Sequence, residues 1–218
     1  MDFFKRVFGK KKQKIEQYGD EIPVERYVNY LELKEQGLEN VLGKMHGSDH
    51  SIISFYGGGY VDIYFFLHHI PGTGFATMEL LTTDGSGPKP NLLGTFELVA
   101  FTKLPYSETE NMKPSFERMK NRTRWIFTGI ARYSFEAVIA PKETCELPDE
   151  KGFLIFDNYM SANKAFKIGE QAHHLLLCME IFQSEMNFAK DNGGDKLFDL
   201  LKKKGYYPYS DLDREPVA

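Results

Sequence analysis

Four short stretches of this 218-residue chain carry side chains of the right type and spacing to do chemistry. Asp84-Gly85-Ser86-Gly87 sets a serine between glycines, in the manner of a hydrolase nucleophile. A nucleophile elbow reads Gly-x-Ser-x-Gly and lies between a strand and a helix. Here Pro88 and Pro90 follow, which removes two backbone donors and forbids an immediate helix. The segment 84–91 therefore reads as an exposed recognition loop, with Asp84, Ser86, Lys89 and Asn91 as candidate contacts to a protein. The pairs His68-His69 and His173-His174 offer ring nitrogens to a metal. Neighbours on a strand point to opposite faces, so at most one member of each pair reaches a common site. No spacing matches a zinc ligand set, and neither a metal nor a cofactor is expected. Gly57-Gly58-Gly59 invites a phosphate-loop reading, yet it lacks the Gly-Lys-Ser/Thr ending and precedes a strand, so a flexible turn is expected. Asp62 and Glu97 lie inside apolar strands. A carboxylate buried without a partner is costly, so each must face solvent, meet a cation or keep its proton. Arg132 is the expected partner of Glu97 in a structural charge pair. The catalytic alternative is a hydrolase that uses Ser86 with a histidine, or Glu97 as an acid.

The elements that must position these residues follow from periodicity. Val24, Tyr27, Val28, Leu31 and Glu35 predict a helix over 24–36, interrupted by Gly37, with Leu38, Val41 and Leu42 continuing its apolar face. Strands are predicted over 60–68, 75–82 and 94–102, linked by short turns that imply antiparallel pairing. Phe116, Met119, Thr123, Ile126, Phe127 and Ile130 predict a helix over 115–133 whose other face carries Arg118, Lys120, Arg122 and Arg124. Strands over 153–159 and 174–182 and helices over 184–191 and 195–204 complete the chain. Strands and helices in separate runs imply an α+β fold, a mainly antiparallel sheet sandwiched with helices.

Composition and charge bound the function. Eighteen Phe and twelve Tyr can anchor a core without disulfides, and Cys145 and Cys178 are expected as two free thiols. Residues 1–14 hold six basic side chains against Asp2, so 1–20 reads as a basic N-terminal arm and 21–218 as one domain. Its phenylalanines are expected to dock on the domain, with contact to anionic lipid as the alternative. The rest of the chain carries 21 basic and 30 acidic groups, a net −9 that repels nucleic acid and suits a basic partner. No apolar run is long enough to cross a bilayer or to form a signal peptide, so a cytoplasmic location is expected.

Several segments, in order, resemble the suppressor-of-fused family. They are Tyr60-Val61-Asp62-Ile63-Tyr64-Phe65-Phe66, Leu80-Leu81-Thr82-Thr83-Asp84-Gly85-Ser86, Phe96-Glu97-Leu98-Val99-Ala100-Phe101, Trp125 followed by Ile130-Ala131-Arg132-Tyr133, and Gln183-Ser184-Glu185-Met186 with Asp213-Arg214-Glu215-Pro216-Val217. The likeness spans about residues 24–217; the adjacent glycine and serine of the turn loop and Ile130 before Ala131 depart from the family pattern. The resemblance implies a non-catalytic domain that clamps an extended peptide in a cleft, partly by strand addition. A short form like this one resembles the bacterial branch, which implies an immunity protein that neutralises a secreted, often basic, toxin. Asp211 and Asp213 join the 84–91 loop as candidate contacts to such a partner.

Overall fold

The computed structural model describes residues 24–106, 113–148, 152–160 and 164–218. The basic arm expected over 1–20 lies outside the described residues. Helix α1 runs Val24–Leu42 and passes through Gly37 without a break. Glycine is about 1 kcal/mol worse than alanine inside a helix. Here it is required: a Cβ on Gly37 would lie 2.0 Å from the carbonyl oxygen of Lys167.

Eight strands follow among the described residues: β1 Met45–Asp49, β2 Ile63–Phe66, β3 Thr73–Ala76, β4 Phe96–Thr102, β5 Thr144–Glu146, β6 Phe153–Asn158, β7 Phe166–Ile168 and β8 Gln171–Ile181. Helix α2 (Pro114–Glu136) separates β4 from β5, and α3 (Gln183–Asn192) and α4 (Gly194–Lys203) come after β8. The strands form one sheet in the order β1-β2-β3-β4-β8-β6-β5, with β7 against the start of β8. Every pairing is antiparallel except β4 with β8, where Phe96 partners His174 and Val99 partners Leu177. The architecture is the expected α+β one.

Both faces of the sheet are covered, and the twofold side-chain alternation of strands sorts the residues. Leu175, Leu177, Met179 and Ile181 of β8 join Val99 and Phe101 of β4 under α1, α3 and α4. Leu176 and Cys178, with Phe96, Leu98 and Ala100, pack under Phe116, Phe127 and Ile130 of α2. Each fully buried Phe or Leu contributes about 1.5–3 kcal/mol.

The same alternation forces polar groups inward. Glu97 projects to the α1 side, where it pairs with Lys34 at 2.9 Å, both side chains fully buried. Arg132 stands on α2, across the sheet, and donates instead to the carbonyls of Gly58 (2.8 Å) and Gly59 (3.0 Å). The expected Glu97–Arg132 pair is therefore replaced by Glu97–Lys34, because the sheet separates the two expected partners. Of Arg118, Lys120, Arg122 and Arg124 on α2, three are paired inside the fold as well, while Arg118 is exposed. Lys120 and Arg124 converge on Asp49 at 2.8 and 2.9 Å, and Arg122 grips Glu180 at 2.6 Å.

The end of the chain is clasped by one arginine. Arg214 forms a two-pronged bond to fully buried Glu185 (2.6 and 2.9 Å), with its guanidinium between the rings of Phe182 and Tyr206. Glu185 also accepts the N–H of Phe182 at the start of α3 and that of Val217.

Candidate protein-binding site

A groove of about 610 Å³ runs between α2 and β5. Trp125 and Tyr133 of α2 stand over it, Gly129 leaves room between them, and Cys145 and Leu147 form the opposite wall. Arg122 lies 5.1 Å over the Trp125 ring while it holds Glu180, which fixes that aromatic wall. The Gly57–Gly59 turn closes one end. Its carbonyls face Arg132, and a Cβ on Gly59 would fall 1.8 Å from the Ile53 carbonyl oxygen. Gly59 serves close packing and Gly58 turns the chain at a φ of 86°, with no helix behind them to hold a phosphate.

One wall of the groove is a sheet edge. The Phe156 N–H donates to the Glu143 carbonyl and the Leu147 N–H to the Gly152 carbonyl. In an antiparallel ladder alternate residues turn their N–H and C=O toward the partner strand. Glu143, Cys145 and Leu147 thus face β6, and Thr144 and Glu146 direct their backbone groups outward. β5 is last in the strand order, so among the described strands this outer flank is unpaired. Such an edge is a template for another strand.

Beyond the glycine turn the surface rises into an apolar crest. Ile52 is 98% exposed, and Ile53, Tyr56 and Tyr60 are each about half exposed. Grouped apolar side chains in water mark contact surfaces. The loop that bears them is rooted in polar groups. Ser48 Oγ lies 2.8 Å from His50 Nε2, and His50 Nδ1 lies 2.7 Å from Asp62 Oδ2. This is the hydrogen-bond order of a serine hydrolase relay. Ser48, however, sits within β1 opposite Tyr64, where backbone N–H groups lie in the sheet plane while its Oγ stands off it. A nucleophile elbow works because a sharp turn brings backbone N–H groups to the oxygen that develops charge. A residue in mid-strand does not do so, and neither Ser48 nor His50 lines the groove.

The residues singled out in the sequence fall into separate places. The 84–91 loop is pinned to the C-terminal end of α2, next to Tyr133. The Lys89 N–H donates to Ser134 O, its ammonium to Glu136 O, and Asn91 Nδ2 to Ile139 O. Asp84 and Ser86 remain exposed at the tip. The Thr82 hydroxyl and the Ser86 N–H hold the Asp84 carboxyl down at about 2. Ser86 Oγ meets Thr82 Oγ1 at 2.5 Å, and no helix follows it directly. Asp211 lies at the far end of β4 from this loop. It is buried and accepts the Thr102 hydroxyl (2.6 Å) and the Lys103 N–H (2.9 Å). As a partner contact Asp211 is corrected to a structural group, because both its oxygens are engaged inside the fold. Asp213 is exposed beside the Arg214 clasp. The sequence reading missed Lys34 and the β5 edge.

The histidines are dispersed. His69 meets the Tyr159 hydroxyl at 2.6 Å and His173 the Thr95 hydroxyl at 2.8 Å, and burial lowers the pKa of His69, His173 and His174. Among the described residues no group of three or more His, Cys, Asp or Glu is placed to hold a metal. Cys145 and Cys178 are both free thiols. No described helix is long and apolar enough to cross a membrane.

No protein-family model and no curated protein matches the sequence. Solved structures do match. The chain is similar to one in the Sufu–Fu complex crystal structure at 12% identity and a TM-score of 0.57, covering 88% of this chain and 91% of that one. It is similar to a SUFU (suppressor of fused) homolog from Neisseria gonorrhoeae FA 1090 at 8% identity and a TM-score of 0.50, covering 89% and 98%. The fold is that of suppressor of fused.

Proposed function

We propose that this suppressor-of-fused fold serves as a non-catalytic protein-binding domain that seats an extended segment of a partner in the α2–β5 groove. The observation that carries the reading is the unpaired flank of β5 beside Trp125 and Tyr133: main-chain donors and acceptors next to aromatic pockets. The structural neighbour crystallised in complex with Fu supports a protein partner. Outside residues 1–14 the chain carries −9, which supports a basic partner captured by electrostatic steering. A cytoplasmic immunity protein that neutralises a basic toxin is the specific form we favour.

Calorimetric titration against the product of the adjacent gene tests this, and absence of both heat and co-purification would count against the toxin. Tyr133→Ala should weaken binding roughly thirtyfold, the scale of an interface hot spot, with folding stability unchanged because the ring is 52% exposed. Glu146→Pro removes an N–H that points away from β6, so it should block strand addition and leave the sheet intact. Undiminished binding by both variants would move the interface elsewhere.

The Ser48–His50–Asp62 relay favours one second reading, a serine hydrolase. A fluorophosphonate probe decides it. Labelling of the parent that is lost in Ser48→Ala and in His50→Gln would establish an activated serine, and we expect none.

A further inference from the structure

The apolar crest at Ile52, Ile53, Tyr56 and Tyr60 is held in place from beneath. Phe55 is buried against the Phe135 ring (centroids 6.2 Å apart), the Tyr56 hydroxyl donates to the Glu79 carbonyl at 2.7 Å, and the Ser51 N–H donates to Asp62 Oδ1 at 2.8 Å. A preformed apolar surface needs little further ordering to be covered, so an occupant of modest intrinsic affinity suffices.

The path of α1 shows which segment is nearest. Tyr64 pairs with Ala76 and Ala76 with Val99, so Ile63, Thr77 and Leu98 lie level at one end of the sheet. The 50–60 loop leaves β1 at this end, where Asp49 pairs with Ile63. Lys34 reaches the Met78 carbonyl and Glu97 here, whereas Gly43 stands beside the His69 N–H, past the other end of β2. Helix α1 therefore runs along β2, and the residues from Val24 to Lys34 carry it about 15 Å further toward the crest end. The chain enters α1 beside the crest.

Upstream of this entry lie Phe3, Phe4, Val7 and Phe8, set among the six basic side chains of residues 1–14. The stretch between Phe8 and Val24 can span about 50 Å when extended, which covers this end of the molecule. A segment tethered beside a surface meets it at an effective concentration on the order of millimolar, an advantage that a separate chain lacks. Charge favours the same occupant. Glu25, Glu32, Asp62, Glu79 and Asp84 lie at this end against Arg26, His50 and Arg132. We propose that the arm is the crest's own occupant: Phe3, Phe4 and Phe8 pack on Ile52, Ile53, Tyr56 and Tyr60, and the neighbouring lysines face these acidic groups. Tyr60 lines the α2–β5 groove as well, so the seated arm stands at the mouth of the groove. The contact belongs to the free chain and does not rest on the groove holding a partner.

The test is paramagnetic NMR on the full chain, nitrogen-15 labelled, with a nitroxide attached through Gly9→Cys in a Cys145→Ser background. Cys178 is buried and stays unmodified. The amides of Ile52, Ile53, Tyr56 and Tyr60 should lose most of their intensity relative to the reduced label. Leu212 should lose none, since Asp211 beside it bonds Thr102 at the opposite end of the sheet. Phe3→Ser/Phe4→Ser/Phe8→Ser should restore the crest amides. Ile52→Ser/Ile53→Ser should restore Tyr60 and leave the fold intact, because these side chains are 98% and 52% exposed. A nitroxide chain without nitrogen-15, mixed with the nitrogen-15 parent, should broaden nothing. Intensity loss in that mixture would assign the crest to a second copy and overturn the proposal. Undiminished crest amides in the labelled chain, equal loss at Leu212, or loss that survives either set of substitutions would overturn it as well.

Discussion

Replacing Lys34 by methionine keeps most of the side-chain length and deletes the cation of a fully buried pair. The Lys34 ammonium lies 2.9 Å from Glu97 Oε1 and donates to Met78 O at 2.9 Å and to Leu81 O. Glu97 also accepts from the Thr77 hydroxyl (2.7 Å) and the N–H groups of Leu80 (3.3 Å) and Leu81 (3.0 Å). In Lys34→Met those three donors remain, but a carboxylate is left in the core without counter-charge, and two carbonyls lose a donor. Breaking one side of a buried pair costs about 3–5 kcal/mol, against a total stability of about 5–15 kcal/mol. With a urea slope of about 2 kcal/mol per molar, the unfolding midpoint should fall by roughly 1.5–2.5 M. Lys34→Met/Glu97→Gln should recover at least about 2 kcal/mol, because the charge leaves with its partner. Added salt should alter none of this, since screening does not reach a buried pair. A single variant within about 1 kcal/mol of the parent, or a double-mutant cycle without coupling, would refute the view that this pair fixes the 77–81 segment.

Gly37→Ala should destabilise, although the same change in an ordinary helix stabilises by about 1 kcal/mol. The new methyl would meet the Lys167 carbonyl, so α1 must separate from β7, and a thermal melt that rises would contradict that packing. Arg214→Ala strands buried Glu185 and should cost about 3–5 kcal/mol. It should also expose residues 206–218 to limited proteolysis, and unchanged cleavage would remove the clasp from the account.

Long, strongly periodic elements were legible in the sequence, short ones were not. The helix expected over 115–133 is Pro114–Glu136, and the strand expected over 174–182 is Gln171–Ile181. β1 reads Met-His-Gly-Ser-Asp, without a β-branched residue, and β5 and β7 have three residues each, too few to show a period. The strand expected over 75–82 is only Thr73–Ala76, because the Leu80 and Leu81 N–H groups turn to Glu97 and the Met78 and Leu81 carbonyls turn to Lys34. Gly37 looked like a helix stop because a tight packing partner 130 positions later leaves no local trace. The misassigned partner of Glu97 has the same origin. Strand parity shows that Glu97 and Val99 share a face, yet which helix covers that face is decided by topology. The groove depends on β5 reaching the sheet edge, and nothing in Thr144-Cys145-Glu146 announces that position.

The parallel pairing of β4 with β8 sets a timetable for biosynthesis. β4 acquires β3 on one flank early, but its other flank must wait for residues 174–177. At about 5–20 residues per second the ribosome needs roughly 4–15 s to deliver them. During that interval Phe96–Thr102, wholly apolar apart from Glu97 and Thr102, offers an open edge to any neighbouring nascent chain. Expression yield should therefore respond to chaperone supply and growth temperature more steeply than the stability of the finished protein would suggest.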